Sequence, residues 1–170
     1  MHRNIKLTVL VLLFIGISNA RAQQSENFVV TGKVSNELKV NMTMLNAYKS
    51  FSIDSLVIYN HLMAKKSVLK HIKGVLLKDV IASSGIASES PKVLSEYYII
   101  CKATDGYKIV YSWNELFNSS AGDQTLILTS YDTEPAKTEK GNIAIVTPTD
   151  KATGRRFLKG LTSVTVSRVD

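Results

Sequence analysis

The sequence predicts an α+β fold: a single layered domain with many short β-strands and a few short helices. Its apolar segments are short and rich in β-branched and aromatic residues, which favours strands. These segments do not alternate with long helical patterns, as they would in a doubly wound parallel sheet. Glycine-rich phosphate loops and the GxSxG nucleophile turn are absent from the sequence. The pattern therefore predicts an α+β domain and gives no motif for nucleotide binding or serine hydrolysis.

The predicted strands are distributed along the whole chain after its first 22 residues. Gly32 lies inside the first strand and indicates a bulge or a close approach of another backbone. Asp105-Gly106 predicts a tight turn between two strands, because glycine tolerates positive φ. Val164 and Val166 alternate with polar residues near the end of the chain, as in a half-buried strand. The predicted strand segments are residues 28–34, 38–40, 55–59, 68–72, 97–102, 107–111, 125–131, 142–146 and 157–169.

Short helices are predicted at three places between the strands. One covers residues 43–49. A second covers residues 76–83, where the apolar residues have amphipathic spacing and Gly85 provides a stop. The third follows Ser112, because Ser112 and Glu115 have the spacing of a capping box that satisfies the first free amides of a helix.

Residues 1–22 have the pattern of a cleaved signal peptide. Two basic residues precede an apolar core that is too short to span a bilayer comfortably, and the sequence A-R-A ends at Ala22. Cleavage there would leave residues 23–170 as one domain with no stable membrane anchor. We therefore expect an exported protein, periplasmic or secreted; the alternative is an uncleaved anchor.

The predicted mature chain is mildly basic and large enough for a substantial core. It has 148 residues, with 18 basic and 14 acidic side chains, so its net charge is +4 compared with +7 for the full 170 residues. No basic run is interleaved with aromatic residues, as a nucleic-acid surface would require. We therefore expect no nucleic-acid partner.

Four ordered blocks cover nearly the whole mature chain. They are F-V-V-T-G-K-V at 28–34, K-G-V-L-L-K-D-V-I at 73–81, A-T-D-G-Y at 103–107 with E-L in the next helix, and residues 141–161, which end G-R-R-F-L-K-G-L. In order and spacing these blocks resemble the molybdopterin-binding domain of the sulfite oxidase type. The resemblance implies a layered α+β fold that holds a molybdenum-pterin cofactor for oxygen-atom transfer.

A cysteine thiolate normally ligates the metal in that family, because a soft sulfur donor suits it. The cysteine is expected between the strand at 55–59 and Gly74, where this chain has N-H-L-M and no cysteine. Cys101 belongs to a different block. The signal sequence also has no twin arginine, which export of a folded, cofactor-loaded protein would need. We therefore predict that the catalytic centre is absent, assign no catalytic or metal-binding residue, and leave the cofactor unknown.

The resemblance does imply three cofactor-binding residues: Tyr107, Arg156 and Lys159. Tyr107 matches an aromatic residue that approaches the active centre in some members. Arg156 and Lys159 match basic positions near the substrate or the cofactor phosphate, and guanidinium and ammonium groups are good donors to an anion. A solvated basic strand edge is the alternative for these two residues.

The other reactive side chains do not form a recognisable site. Cys101 follows two isoleucines in a predicted strand, which indicates a buried residue rather than a reactive thiol. His61 and His71 are ten residues apart, which is not a recognised metal-ligand spacing. Trp113 and Phe117 lie four residues apart in the capped helix, which favours core packing.

Three functions are compatible with the sequence. The preferred one is a non-catalytic, exported binding module with the molybdopterin-domain fold, whose partner is a small anionic ligand or another protein. The first alternative is a genuine molybdopterin-dependent oxidoreductase domain of the sulfite oxidase type. The second is a redox role for Cys101.

Overall fold

A computed structural model describes residues 26–135 and 143–170. The predicted signal peptide at 1–22 and the first residue of the predicted strand at 142–146 lie outside these ranges. Within the described ranges, no helix has the length and apolar character needed to cross a membrane.

The described residues form ten strands and three short α-helices. The strands are β1 (Asn27–Gly32), β2 (Leu38–Asn41), β3 (Phe51–Tyr59), β4 (Lys65–Leu76), β5 (Tyr97–Ala103), β6 (Lys108–Ser112), β7 (Leu126–Glu134), β8 (Ala144–Val146), β9 (Leu158–Lys159) and β10 (Leu161–Arg168). The helices are α1 (Met42–Leu45), α2 (Leu77–Ser84) and α3 (Trp113–Phe117), with 3₁₀ turns at Pro91–Glu96 and Thr153–Arg155.

The strands form two five-stranded sheets. The first has the order β2-β1-β10-β5-β6, and β10 lies in its centre, parallel to β1 and antiparallel to β5. The second has the order β3-β4-β7-β8-β9, with every neighbouring pair antiparallel. The last strand, β10, therefore pairs with one strand from the beginning of the described chain and one from its middle.

Most of the core lies where the two sheets and the helices meet. Phe28 and Val30 of β1 pack in one cluster with Ile127 of β7 and with Leu77 and Leu116 of the helices, all 0% exposed. Alternate residues of the second sheet enter a smaller cluster on its other face, which includes Leu69, Ile72, Leu126, Leu128 and Val146. The second sheet is thus apolar on both faces, which explains the near-continuous apolar runs in β7 and β8.

Several predicted elements are confirmed with small shifts. Gly85 ends α2 with φ of 66°, and Gly106 forms the turn between β5 and β6 with φ of 84°. Gly32 ends β1 with φ of 94°, and an added Cβ would lie 2.2 Å from the carbonyl oxygen of Val166. The predicted close approach of another backbone is therefore correct, and the approaching strand is β10.

Other boundaries differ from the prediction for identifiable reasons. Strands β3 and β4 are longer than predicted, because their pairing extends from Phe51 opposite Gly74 to Tyr59 opposite Lys65 and includes solvent-facing polar residues. The predicted helix at 43–49 is reduced to α1. The single strand predicted at 157–169 is two strands in different sheets, separated by Gly160 with φ of 71°. The chain therefore crosses from the second sheet to the first at this glycine.

Candidate functional site

The predicted capping box at the start of α3 is half confirmed. The Ser112 hydroxyl accepts a hydrogen bond from the Glu115 backbone N–H at 3.0 Å. The Glu115 carboxylate does not complete the box; instead it accepts a hydrogen bond from Nη1 of Arg156. Helix α3 therefore presents an acidic group to the segment that follows β8.

Arg156 lies between two carboxylates and an aromatic ring. Its Nε donates to Asp150 Oδ2 at 2.7 Å and its Nη2 donates to Asp150 Oδ1, which makes a two-pronged contact. Its guanidinium carbon is 4.6 Å from the centroid of the Tyr111 ring. The hydrogen bonds to Asp150, and then those to Glu115, raise the pKa of Arg156, and partial burial opposes them. The guanidinium is therefore directed into the fold.

Tyr111 continues this contact into a chain of buried hydroxyl groups. Its hydroxyl lies 2.9 Å from Thr147 Oγ1, which lies 3.2 Å from Thr125 Oγ1. Thr125 Oγ1 in turn donates to the carbonyl of Ala121 at 2.9 Å. Burial raises the pKa of Tyr111, so the phenol stays protonated. This chain satisfies polar groups in the interior and ties the end of β8 to the segment after α3.

A groove of about 390 Å³ opens at the surface close to this network. We call it the hairpin groove, because the β3–β4 hairpin forms one wall. The turn between β5 and β6 and the 3₁₀ turn at Thr153–Arg155 provide the rest. Its lining residues are Ile58, Tyr59, Asn60, His61, Lys66, Tyr107, Gly154, Arg155 and Phe157.

The hairpin wall is shaped by Asn60. Its side-chain oxygen accepts hydrogen bonds from the backbone N–H groups of Leu62 and Ala64, both at 2.9 Å. Met63 between them has φ of 59°, in the left-handed region. These bonds hold the tight turn that leads from β3 into β4 and that carries His61 at the groove.

The opposite wall is anchored to β3 by Thr153 and Gly154. The buried Thr153 hydroxyl accepts from the Tyr59 N–H at 2.9 Å and donates to the Val57 carbonyl at 2.8 Å. A Cβ at Gly154 would lie 2.7 Å from the Tyr59 carbonyl oxygen, so only glycine allows this approach. The 3₁₀ turn is thereby fixed against the edge of the second sheet.

Tyr107 is one of the residues that line the groove. Its side chain is 44% exposed. The hydroxyl donates to the Arg155 carbonyl at 2.6 Å, and the Tyr107 backbone N–H donates to Asp105 at 2.9 Å. The ring therefore bridges the first sheet to the 3₁₀ turn and leaves one part open to solvent.

The other two predicted positions do not line the groove. Arg156 faces the network described above. Lys159 lies on β9, and its ammonium group is 4.8 Å from the centroid of the Phe157 ring. The assignment of Tyr107, Arg156 and Lys159 as cofactor contacts stays a prediction, and the structure brings only the first of them to the groove.

The basic residues at the groove differ from the basic residues that the sequence predicts for a binding site. They are Lys66, Arg155 and His61, and none of the described lining residues is acidic. Neither Lys66 nor Arg155 forms a salt bridge with a residue in the described ranges. The adjacent pair Arg155-Arg156 is the sequence signal that could have identified Arg155 as a groove residue. Neighbouring side chains in an extended or irregular segment point in different directions, so each arginine of the pair is a separate candidate for the site.

The donor set does not fit a thiolate-ligated molybdenum centre. Where the resemblance expects the cysteine, the structure has the turn after β3, with Asn60 and His61 at the groove. Cys101 is fully buried in the core of the first sheet, and burial raises the pKa of its thiol. His71 contacts Asp132 at 2.8 Å on the surface. Across the described residues, no group of three His, Cys, Asp or Glu side chains could hold a metal ion.

Comparisons with known proteins identify a structural relative and no close sequence relative. The fold is similar to that of the sulfane dehydrogenase SoxCD from Paracoccus pantotrophus, with a TM-score of 0.59 at 9% sequence identity. The match covers 84% of this chain and 38% of the SoxCD chain, so this chain spans well under half the length of that relative. No protein-family profile matches the sequence, and no curated protein matches it significantly. At this identity the likeness concerns the fold alone, and it confirms the predicted α+β, sulfite-oxidase-like fold class.

Proposed function

We propose that this protein is a non-catalytic binding module whose hairpin groove takes a small anionic ligand. The observation that carries the proposal is the charge of the groove: the cationic side chains of Lys66 and Arg155 line it, and no acidic side chain among the described residues does. Guanidinium and ammonium groups that lack an internal carboxylate partner are available to an added anion. Tyr107 would provide a flat apolar contact beside the charged group.

The missing thiolate supports a binding role rather than oxygen-atom transfer. A molybdenum centre of the sulfite oxidase type would need a soft sulfur donor at the groove, and the only cysteine of the chain is in the core. The retained fold and the basic groove are compatible with recognition of an anion without redox chemistry. The genuine oxidoreductase is therefore the second candidate, and metal analysis separates the two.

Isothermal titration calorimetry with sodium sulfate, sodium phosphate and sodium acetate at low ionic strength tests the groove. We expect at least one of these anions to bind, and Lys66→Gln and Arg155→Gln each to weaken binding about tenfold, a loss of about 1.4 kcal/mol. Lys39→Gln on β2 is the matched control, because Lys39 is exposed and does not line the groove. Absence of binding by all three anions, or an equal effect of the three variants, would contradict the proposal.

Metal analysis of protein purified from its native host tests the absence of the catalytic centre. We expect molybdenum well below one atom per chain. A stoichiometric amount would establish the oxidoreductase alternative and would show that another donor replaces the thiolate.

We also propose that the chain is exported and that residues 1–22 are removed, on the strength of the signal-like sequence. Mass spectrometry of the protein from its native host should find a mature N-terminus at Gln23. An intact N-terminus in a membrane fraction would instead identify an uncleaved anchor.

A further inference from the structure

The turn of the β3–β4 hairpin exposes two large apolar side chains next to each other. Leu62 is 74% exposed and Met63 is 52% exposed. Neither belongs to a core cluster of the described residues or packs against one. The hydrogen bonds of Asn60 hold the turn in a fixed shape, so these side chains are presented to solvent by a well-formed structure. We call residues 60–64 the hairpin tip.

This pair differs from the other exposed apolar residues of the described chain. Val29, Val110 and Val169 are each separate in sequence and lie on different strands or at the end of the chain. Single exposed apolar residues are common on protein surfaces and need no explanation. Two adjacent ones at the turn of one hairpin form a compact apolar surface.

The surroundings of the hairpin tip are basic. Lys65 and Lys66 follow it directly, and Arg155 lies across the groove. Of the five lysines between Asp54 and Asp79, Lys70 and Lys78 are paired with Glu134 and Asp123, whereas Lys65 and Lys66 form no salt bridge with a described residue. The nearby acidic residue of the β5–β6 turn, Asp105, accepts a hydrogen bond from a backbone N–H. The apolar tip therefore has a positively charged base.

We infer that the hairpin tip docks this protein on an anionic lipid surface. Leu62 and Met63 would enter the interface between headgroups and acyl chains, and Lys65, Lys66 and Arg155 would face the headgroups. A lipid surface fits better than a protein partner for two reasons. The convex tip offers far less area than the roughly 800 Å² per partner of a stable protein interface. A fluid interface also accepts a convex apolar tip without a complementary pocket.

The inference shares Lys66 and Arg155 with the proposed anion groove, and so it rests partly on the proposed function. Leu62 and Met63 do not line the groove. The variant Leu62→Ser/Met63→Ser therefore separates the two ideas, because it should lose lipid binding and keep the affinity for soluble anions.

Co-sedimentation with vesicles is the test. The probes are vesicles of phosphatidylglycerol with phosphatidylethanolamine, and vesicles of phosphatidylcholine alone. We expect the protein to bind the anionic vesicles and not the neutral ones, and to bind less as salt is raised. Leu62→Ser/Met63→Ser should lower the partition coefficient about tenfold or more, because two partly inserted side chains are lost. Lys65→Gln/Lys66→Gln should also lower it.

Val110→Ser/Val169→Ser is the matched control, because it removes two side chains that are 53% and 62% exposed and lie elsewhere. It should bind anionic vesicles like the wild type. The inference is overturned if the wild type does not bind anionic vesicles, if it binds neutral ones equally well, or if Leu62→Ser/Met63→Ser lowers binding no more than the control Val110→Ser/Val169→Ser. If vesicle binding fails while sulfate, phosphate or acetate still binds the groove, only this inference is wrong. If vesicles bind through the tip and no soluble anion binds, only the proposed groove function is wrong.

Discussion

Arg155 and Arg156 are adjacent in the chain, yet their guanidinium groups have different surroundings. Arg156 is held by Asp150 and Glu115 and stacks on Tyr111, and its side chain is 20% exposed. Arg155 is exposed and lines the hairpin groove. Removing Arg156 would leave the partly buried carboxylates of Asp150 and Glu115 without the cation that they share. Removing Arg155 would change only the surface.

We therefore expect Arg156→Gln to lower the free energy of unfolding by about 2 kcal/mol. Arg155→Gln is the control, and its effect on stability should stay within about 0.5 kcal/mol. Urea unfolding followed by circular dichroism measures both. An equal loss in the two variants would show that the network around Arg156 does not stabilise the fold.

Cys101 makes stability depend on pH at the alkaline end. Burial raises the pKa of its thiol in the folded protein, while the unfolded thiol ionises near its ordinary pKa of about 8.5. Above that pH the unfolded chain has released a proton that the folded chain keeps. Raising the pH therefore favours the unfolded state.

The contribution of this thiol should lower the free energy of unfolding by about 1.4 kcal/mol for each pH unit above about pH 9. Cys101→Ala should reduce the slope by that amount between about pH 9 and pH 10, because the tyrosines and lysines that also ionise there are present in both chains. The substitution also creates a small cavity, so the slope and not the absolute stability is compared. Equal slopes, or rapid thiol labelling of the folded protein, would contradict a protected thiol and would favour the redox role.

At the scale of single elements, the 3₁₀ turn at Thr153–Arg155 determines the shape of the groove. Its attachment to β3 depends on one hydroxyl that both accepts from Tyr59 and donates to Val57. A side chain of the same shape without the hydroxyl would leave a backbone N–H and a carbonyl unpaired near the interior. Such unpaired groups cost more than the bond itself contributes.

Thr153→Val should accordingly lower the free energy of unfolding by about 1–3 kcal/mol and weaken anion binding at the groove. Thr162→Val is the matched control, because the Thr162 hydroxyl donates to the Lys102 carbonyl at an exposed position where water can replace it. Thermal unfolding and calorimetry measure the two effects. If the two variants lose equal stability, or if Thr153→Val binds anions normally, the turn does not control the groove.

Local patterns in the sequence predicted most elements, because β-branched runs, Asp105-Gly106 and the Ser112 cap act over a few residues. These patterns did not predict that β9 and β10 are separated at Gly160, because the residues on both sides of this glycine form one continuous strand-like pattern in the sequence. Which sheet a strand joins depends on partners that are distant in sequence, and no local propensity encodes them. The groove was missed for the same reason: its lining comes from four separate segments.

The resemblance pointed to Tyr107, which lines the groove, and to Arg156 and Lys159, which do not. Tyr107 reaches the groove because it follows a turn whose geometry is local. Arg156 does not, because Asp150 and Glu115 compete for its guanidinium, and their proximity depends on the tertiary fold. A basic residue can be identified from sequence, but its partners and direction cannot.

At the scale of the whole molecule, β10 connects the two ends of the described chain. It pairs with β1 on one side and β5 on the other, over residues 161–168. Val164 and Val166 of β10 are buried in the main core. Without β10 the β1–β2 and β5–β6 pairs would be separate hairpins, which are marginally stable alone.

A chain truncated after Gly160 should therefore fail to fold, with loss of the cooperative thermal transition. Removal of the exposed Asp170 alone is the control and should leave the transition unchanged. Circular dichroism and tryptophan fluorescence of Trp113 report the result. A folded, cooperatively melting truncation would mean that β10 is dispensable.

The central place of β10 also has a consequence for the order of events during synthesis. A ribosome that adds about 5–20 residues per second needs roughly ten seconds or more to reach the final strand. Until that strand emerges from the ribosome, β1 has no parallel neighbour and the first sheet lacks its central strand. If the chain is exported as proposed, a translocation channel that accepts only unfolded polypeptide would therefore meet it with the first sheet still incomplete during almost the entire time of translation.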